Sequence, residues 1–126
     1  IDVIRNDENG VDYLDGASFV LVSPDGAHVY VAARNDNAVA VYSRNEATGA
    51  LSFVDAVRQG VNGAQGLLNV EILGISPDGA HVYTAGGSTV AVYSRDTLTG
   101  ELQFIQKLDD GVNGIDRLNG VISINV

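Results

Sequence analysis

Ser23-Pro24-Asp25-Gly26-Ala27-His28-Val29-Tyr30 recurs unchanged as Ser76-Pro77-Asp78-Gly79-Ala80-His81-Val82-Tyr83, 53 positions further on. Downstream, Val39-Ala40-Val41-Tyr42-Ser43-Arg44 returns as Val90-Ala91-Val92-Tyr93-Ser94-Arg95 at an offset of 51. Two residues are therefore lost between the blocks, where Arg34-Asn35-Asp36-Asn37 gives way to Gly86-Gly87-Ser88. Thr48-Gly49 recurs as Thr99-Gly100, and Val61-Asn62-Gly63 as Val112-Asn113-Gly114. A fixed period of this length marks a chain built by repeating one supersecondary unit.

Within a unit the pattern predicts four short strands separated by turn residues. They fall at Ala17 to Val22, His28 to Ala33, Ala38 to Ser43 and Ala50 to Val57. Ser-Pro-Asp-Gly makes the first turn, Pro presetting φ and Gly free to take φ > 0. Asn35-Asp36-Asn37 makes the second, and Asn45 to Gly49 the third. Strands two and three carry β-branched and aromatic residues on both faces, as expected of strands covered on both sides. A lone meander cannot bury two apolar faces, so the units must stack, and stacked four-stranded units at this period imply a β-propeller. The competing antiparallel sandwich gives no reason for identical octapeptides at fixed spacing.

The expected organisation is all-β, a β-propeller segment with two complete four-stranded antiparallel blades and partial flanking blades. Residues 1–10 end a preceding blade, 11–63 and 64–114 are the two blades, and 115–126 start another. Ile1 to Gly10 aligns on Val54 to Gly63, and Ile115 to Gly120 mirrors Val11 to Gly16. The two ends supply an outermost and an innermost strand but nothing between them. That inventory fits an excerpt of a longer propeller better than a protomer that closes a ring with its neighbours.

The 126 residues allow one domain, and 45% hydrophobic residues supply a core. Sixteen acidic against seven basic residues give a net charge of −9, which repels phosphate backbones and anionic lipid, so nucleic acid is not an expected partner. No apolar run reaches the ~18 residues of a membrane span. Without cysteine there is no disulfide, zinc knuckle or thiol nucleophile. This acidic, Cys-free composition suits an extracellular, cell-surface or periplasmic setting.

Ser-Pro-Asp-Gly-Ala-His-Val-Tyr, Ala-Val-Ala-Val-Tyr-Ser-Arg and Ala-Thr-Gly-Ala-Leu-Ser-Phe-Val together resemble the repeats of the lactonase-like β-propellers. That seven-bladed group includes 6-phosphogluconolactonases and surface-layer proteins with Tyr-Val-Thr-Asn repeats. For its enzymes the resemblance implies hydrolysis of a sugar lactone at a polar site over the central channel. What matches is the turn and core pattern of the blades, and no catalytic residue can be carried over from it.

His28 and His81 repeat just after the turn and are expected to face solvent on the rim. Asp25 and Asp78 are expected to accept backbone N–H groups within their own turns. Arg44 and Arg95 are expected to pair with carboxylates of a neighbouring blade as solvated ion pairs worth under about 1 kcal/mol. Departures from symmetry fall in the loops of the upper face. There Arg34, Asp36 and Asn37, then Arg58, Asn62 and Asn69, then Asp110, Asn113 and Asp116 are the candidate ligand or partner residues, with Gln59, Gln65 and Asp109 beside them. Such oxygen-rich loops can hold Ca²⁺, although no segment has an EF-hand spacing and no other cofactor is indicated. There is no Gly-x-Ser-x-Gly elbow and no phosphate-cradling loop. The leading expectation is a structural or interaction module that presents these loops to a protein or glycan, with other blades of the same or neighbouring chains as partners. The alternative is a fragment of a lactonase-type hydrolase.

Overall fold

The structure, a computed structural model, describes residues 13–109. Strands β1 (Ala17–Val22), β2 (His28–Ala33), β3 (Ala38–Arg44) and β4 (Leu51–Arg58) form one sheet. A second is formed by β5 (Ile72–Ile75), β6 (His81–Gly86), β7 (Thr89–Arg95) and β8 (Leu102–Asp109). Each sheet is an antiparallel meander in sequence order. The chain is all-β, as expected, and the octapeptides lie in separate sheets. The flanking partial blades assigned to residues 1–10 and 115–126 lie outside the described residues.

The strand faces explain why the sheets stack. On the front of the first sheet, Tyr30 and Ala32 of β2 stand opposite Val41 and Val39 of β3, joined by Phe19, Leu21, Val54 and Val57. This face packs on Val82, Ala91 and Tyr93 of the second sheet and on Leu67 and Val70 of the connecting segment. The repeat makes Val29, Ala40 and Tyr42 the first-sheet counterparts of Val82, Ala91 and Tyr93, and those form a separate cluster on the back of the first sheet. Front therefore meets back, each unit stacking on the next in the same sense, as propeller blades do.

The repeated turn is self-bonded in both copies. Ser23 Oγ donates to Asp25 Oδ1 (2.5 Å), and Asp25 Oδ1 accepts the Ala27 N–H (3.0 Å). Ser76, Asp78 and Ala80 repeat this at 2.6 and 3.0 Å. Asp25 thus does what the sequence predicts, and it does more, because its carboxylate also reaches the next blade.

Arg95 lies inside the blade interface, its side chain 1% exposed. Its Nη2 donates to both Asp25 oxygens (2.9 and 3.1 Å) and to His28 Nδ1 (2.8 Å). Nε donates to Tyr30 Oη (2.9 Å), and Nη1 to the Gly79 carbonyl (2.9 Å). Tyr30 in turn donates to the Gly100 carbonyl at 2.7 Å. Two expectations are corrected here. Arg95 does pair across blades, but it is a buried clamp rather than a solvated surface pair. His28 does not face solvent: it is 3% exposed, because the next blade closes over it.

Gly100 shows how tightly. It has φ +82° and lies so close to His28 that a Cβ would fall 2.4 Å from the ring. Its counterpart Gly49 has nearly the same φ (+78°), and among the described residues nothing lies within 4 Å of where its Cβ would be. Among the described residues Arg44 keeps the intrablade bond alone, Nη1 to the Gly26 carbonyl at 3.0 Å.

Candidate functional site

Antiparallel meanders bring the starts of odd strands and the ends of even strands to one end of the stack. Most of the asymmetry between the blades collects there. Arg34 Nη2, just past β2, lies 3.7 Å from Glu71 Oε1, just before β5. The pair is open to solvent, with side chains 53% and 34% exposed. Between them runs β1, where a register shift from Ala17↔Ala33 to Phe19↔Ala32 leaves Ser18 as an extra residue. Such bulges re-aim side chains. Ser18 Oγ donates to the Glu71 carbonyl at 3.0 Å and thereby ties the first inner strand to the second.

The other expected residues divide by role. Asn37 (φ +50°) accepts the Asn69 N–H on its Oδ1 at 2.9 Å, while its carbonyl accepts the Gln59 N–H at 3.0 Å. Asn69 (φ +55°) sits two residues before Glu71, so this contact anchors the loop that carries the carboxylate. Asp36 Oδ2 accepts the Asp15 N–H at 2.9 Å. Gln59 and Gln65 bond each other at 2.8 Å. Arg58 stacks 4.6 Å above the Tyr13 ring, where a guanidinium is attracted by the π face. Asn62 (φ +52°) lies in the outer turn and lines, with Arg58, Asp55 and Glu101, an interblade groove of about 300 Å³. Asp110, Asn113 and Asp116 lie outside the described residues.

Arg34, Asp36, Asn37 and Asn69 are therefore neighbours, whereas Arg58 and Asn62 sit toward the outer edge. Asp36 and Asn37 are engaged with backbone, which leaves Arg34 as the expected residue free to meet a ligand. Among the described residues no three acidic or imidazole side chains converge as a metal ion needs. Sequence reasoning missed Glu71 and Ser18. The signal was weak, because at an offset of 53 none of residues 17–22 is repeated and Glu71 against Ser18 is one difference among six. An Arg just past β2 and a carboxylate just before β5, on either side of β1, can orient an ester carbonyl and accept a proton from water.

Residues 1–114 match the family described as Lactonase, 7-bladed beta-propeller. The chain belongs to this family. No curated protein matches the sequence. Among solved structures, this lactonase-family chain is similar to a functionally unknown protein from Desulfotomaculum acetoxidans, with 23% identity, TM-score 0.65, and 82% of this chain covered against 31% of that one. The periplasmic gluconolactonase PpgL of Pseudomonas aeruginosa is 26% identical with TM-score 0.64, covering 74% of this chain and 25% of its own. A candidate 6-phosphogluconolactonase from Bacteroides fragilis is 23% identical with TM-score 0.62, at 79% and 26% coverage. The chain spans between a quarter and a third of the length of these structures. Among the described residues no helix is long and apolar enough to cross a membrane.

Proposed function

We propose that these blades are part of a sugar-lactone hydrolase and that Arg34 and Glu71 belong to its site. The observation that carries this reading is an open guanidinium–carboxylate pair at the rim of a lactonase-family propeller, at positions where the repeat is broken. Glu71 takes a proton from a water whose oxygen attacks the lactone carbonyl carbon. The Arg34 guanidinium faces the oxyanion that forms. Collapse then breaks the bond from the carbonyl carbon to the ring oxygen, and the proton passes to the departing alkoxide, giving the open hydroxy acid. A general base contributes about 10²- to 10⁴-fold, and one oxyanion donor about 10²- to 10³-fold.

Support for a scaffold role is weaker, because the near-identity of the blades serves the clamp between them rather than an outer binding surface. Further blades are the natural partners. The front of the second sheet carries Tyr83, Val90 and Val92 half-buried, with Ile105 and Leu108 exposed, where the first sheet has its counterparts covered. A periplasmic setting is supported by the gluconolactonase likeness.

The test is gluconolactone opening by the propeller that contains these blades, followed by pH-stat. Glu71→Gln and Arg34→Ala are each expected to lower kcat/KM at least 100-fold with the fold intact. Unchanged rates in both variants would remove the two residues from the site.

A further inference from the structure

We infer that His28 is an acid-sensitive latch that holds the two blades together when neutral and releases Arg95 when protonated. An Arg nitrogen is always a donor, so the 2.8 Å contact from Arg95 Nη2 requires Nδ1 of His28 to be a bare acceptor. The ring is then the Nε2–H tautomer. A proton on Nδ1 removes the acceptor and sets a second cation against the guanidinium. Gly100 closes against the ring, where a Cβ would fall 2.4 Å from Cδ2.

The charged and titratable groups around the ring come from three places. Arg95 faces it from β7, Asp25 from the turn before β2, and Asp96 from the turn after β7, while Tyr30 shares Arg95 from β2 itself. The carboxylates favour a charged ring, but burial first, and Arg95 second, push the imidazole below its ordinary 6.5. Asp25 and Asp96 are themselves held below the usual carboxylate range, Asp25 chiefly by the Ser23 hydroxyl and Asp96 by backbone N–H groups, so they stay ionised while His28 titrates.

The sign follows. A histidine whose folded pKa is depressed binds more protons when unfolded, so stability rises with pH through the window between the folded value and about 6.5. Each unit of depression is a tenfold change in the folding equilibrium across that window. His81 provides an internal control. It repeats the same sequence position, it is half-buried, and no arginine reaches its Nδ1 among the described residues.

The experiment measures ring-nitrogen chemical shifts of both histidines by NMR from pH 8 to 4 on the full chain, together with urea midpoints of wild type, His28→Asn and His81→Asn. Asn keeps an acceptor near the Nδ1 position and does not titrate. His28 is expected as the Nε2–H tautomer at neutral pH, titrating below the ordinary imidazole value of 6.5. The urea midpoint is expected to fall between pH 7.5 and 5 in wild type and His81→Asn but to stay level in His28→Asn. If His28→Asn is poorly folded, the NMR titration alone decides. The idea is overturned if His28 titrates at or above about 6.5, or if a folded His28→Asn keeps the wild-type pH slope.

Discussion

The two blades carry the same octapeptide in different surroundings, and the contrast separates what a sequence does locally from what it does to a neighbour. In both copies Ser-Pro-Asp-Gly closes the same turn with nearly the same distances. Beyond the turn they part. Asp25, His28 and Tyr30 are gripped by Arg95, whereas among the described residues no arginine reaches Asp78, and His81 and Tyr83 are half-buried. Arg44 and Gly49 mirror this, carrying the residues of the clamp with no occupant among the described residues. Identical residues therefore act as turn and interface in the first blade, and the turn forms in the second with no clamp among the described residues.

The sharpest way to break the comparison is at the paired glycines. Alanine at either position takes an unfavourable left-handed φ, a cost of about 1–2 kcal/mol. Only Gly100→Ala also drives a methyl into His28, adding about 1–3 kcal/mol of overpacking. Urea unfolding is expected to show Gly100→Ala well below Gly49→Ala in stability, and equal losses would mean the ring is not held against Gly100.

The arginines come next. Arg95→Ala strips four bonded partners of their donor and is expected to cost about 2–3 kcal/mol, at the low end for a buried pair because Asp25 can regain water. Arg44→Ala loses one half-exposed bond, an expected cost below about 1 kcal/mol. Thermal melts of the two variants distinguish these outcomes.

The smallest contrast lies in the back-face tyrosines. Tyr93 Oη donates to the Gln65 carbonyl at 2.5 Å, so Tyr93→Phe is expected to cost about 1 kcal/mol. The Tyr42 hydroxyl is buried without a partner among the described residues, and burial pushes its pKa up to about 12. Tyr42→Phe removes that unmet group and is expected to leave stability equal or raise it by about 1 kcal/mol. A destabilised Tyr42→Phe would show that the hydroxyl has found a partner.

The strands and their order were legible because turn chemistry and two-faced apolar runs are local signals. β1 and β2 fall on the residues expected, and β3 and β4 differ by one residue at their ends. Front-to-back stacking was legible from the same two faces. The clamp was not. Arg95 meets Asp25 from 70 residues away, and nothing next to His28 in sequence says that another blade will cover it. His28 repeats as His81, which is the mark of an interface used once per blade. At the rim, Arg34 stood out because its loop has no equal in the second blade. Glu71 did not, because its significance depends on β1 and β5 lying side by side.

A double-mutant cycle on Tyr30→Phe and Arg95→Met tests the central claim most directly, with Tyr83→Phe and Arg44→Met as the matched pair. The account predicts a coupling of about 1 kcal/mol or more for the first pair and none beyond about 0.3 kcal/mol for the second. Additive losses at Tyr30 and Arg95 would contradict it.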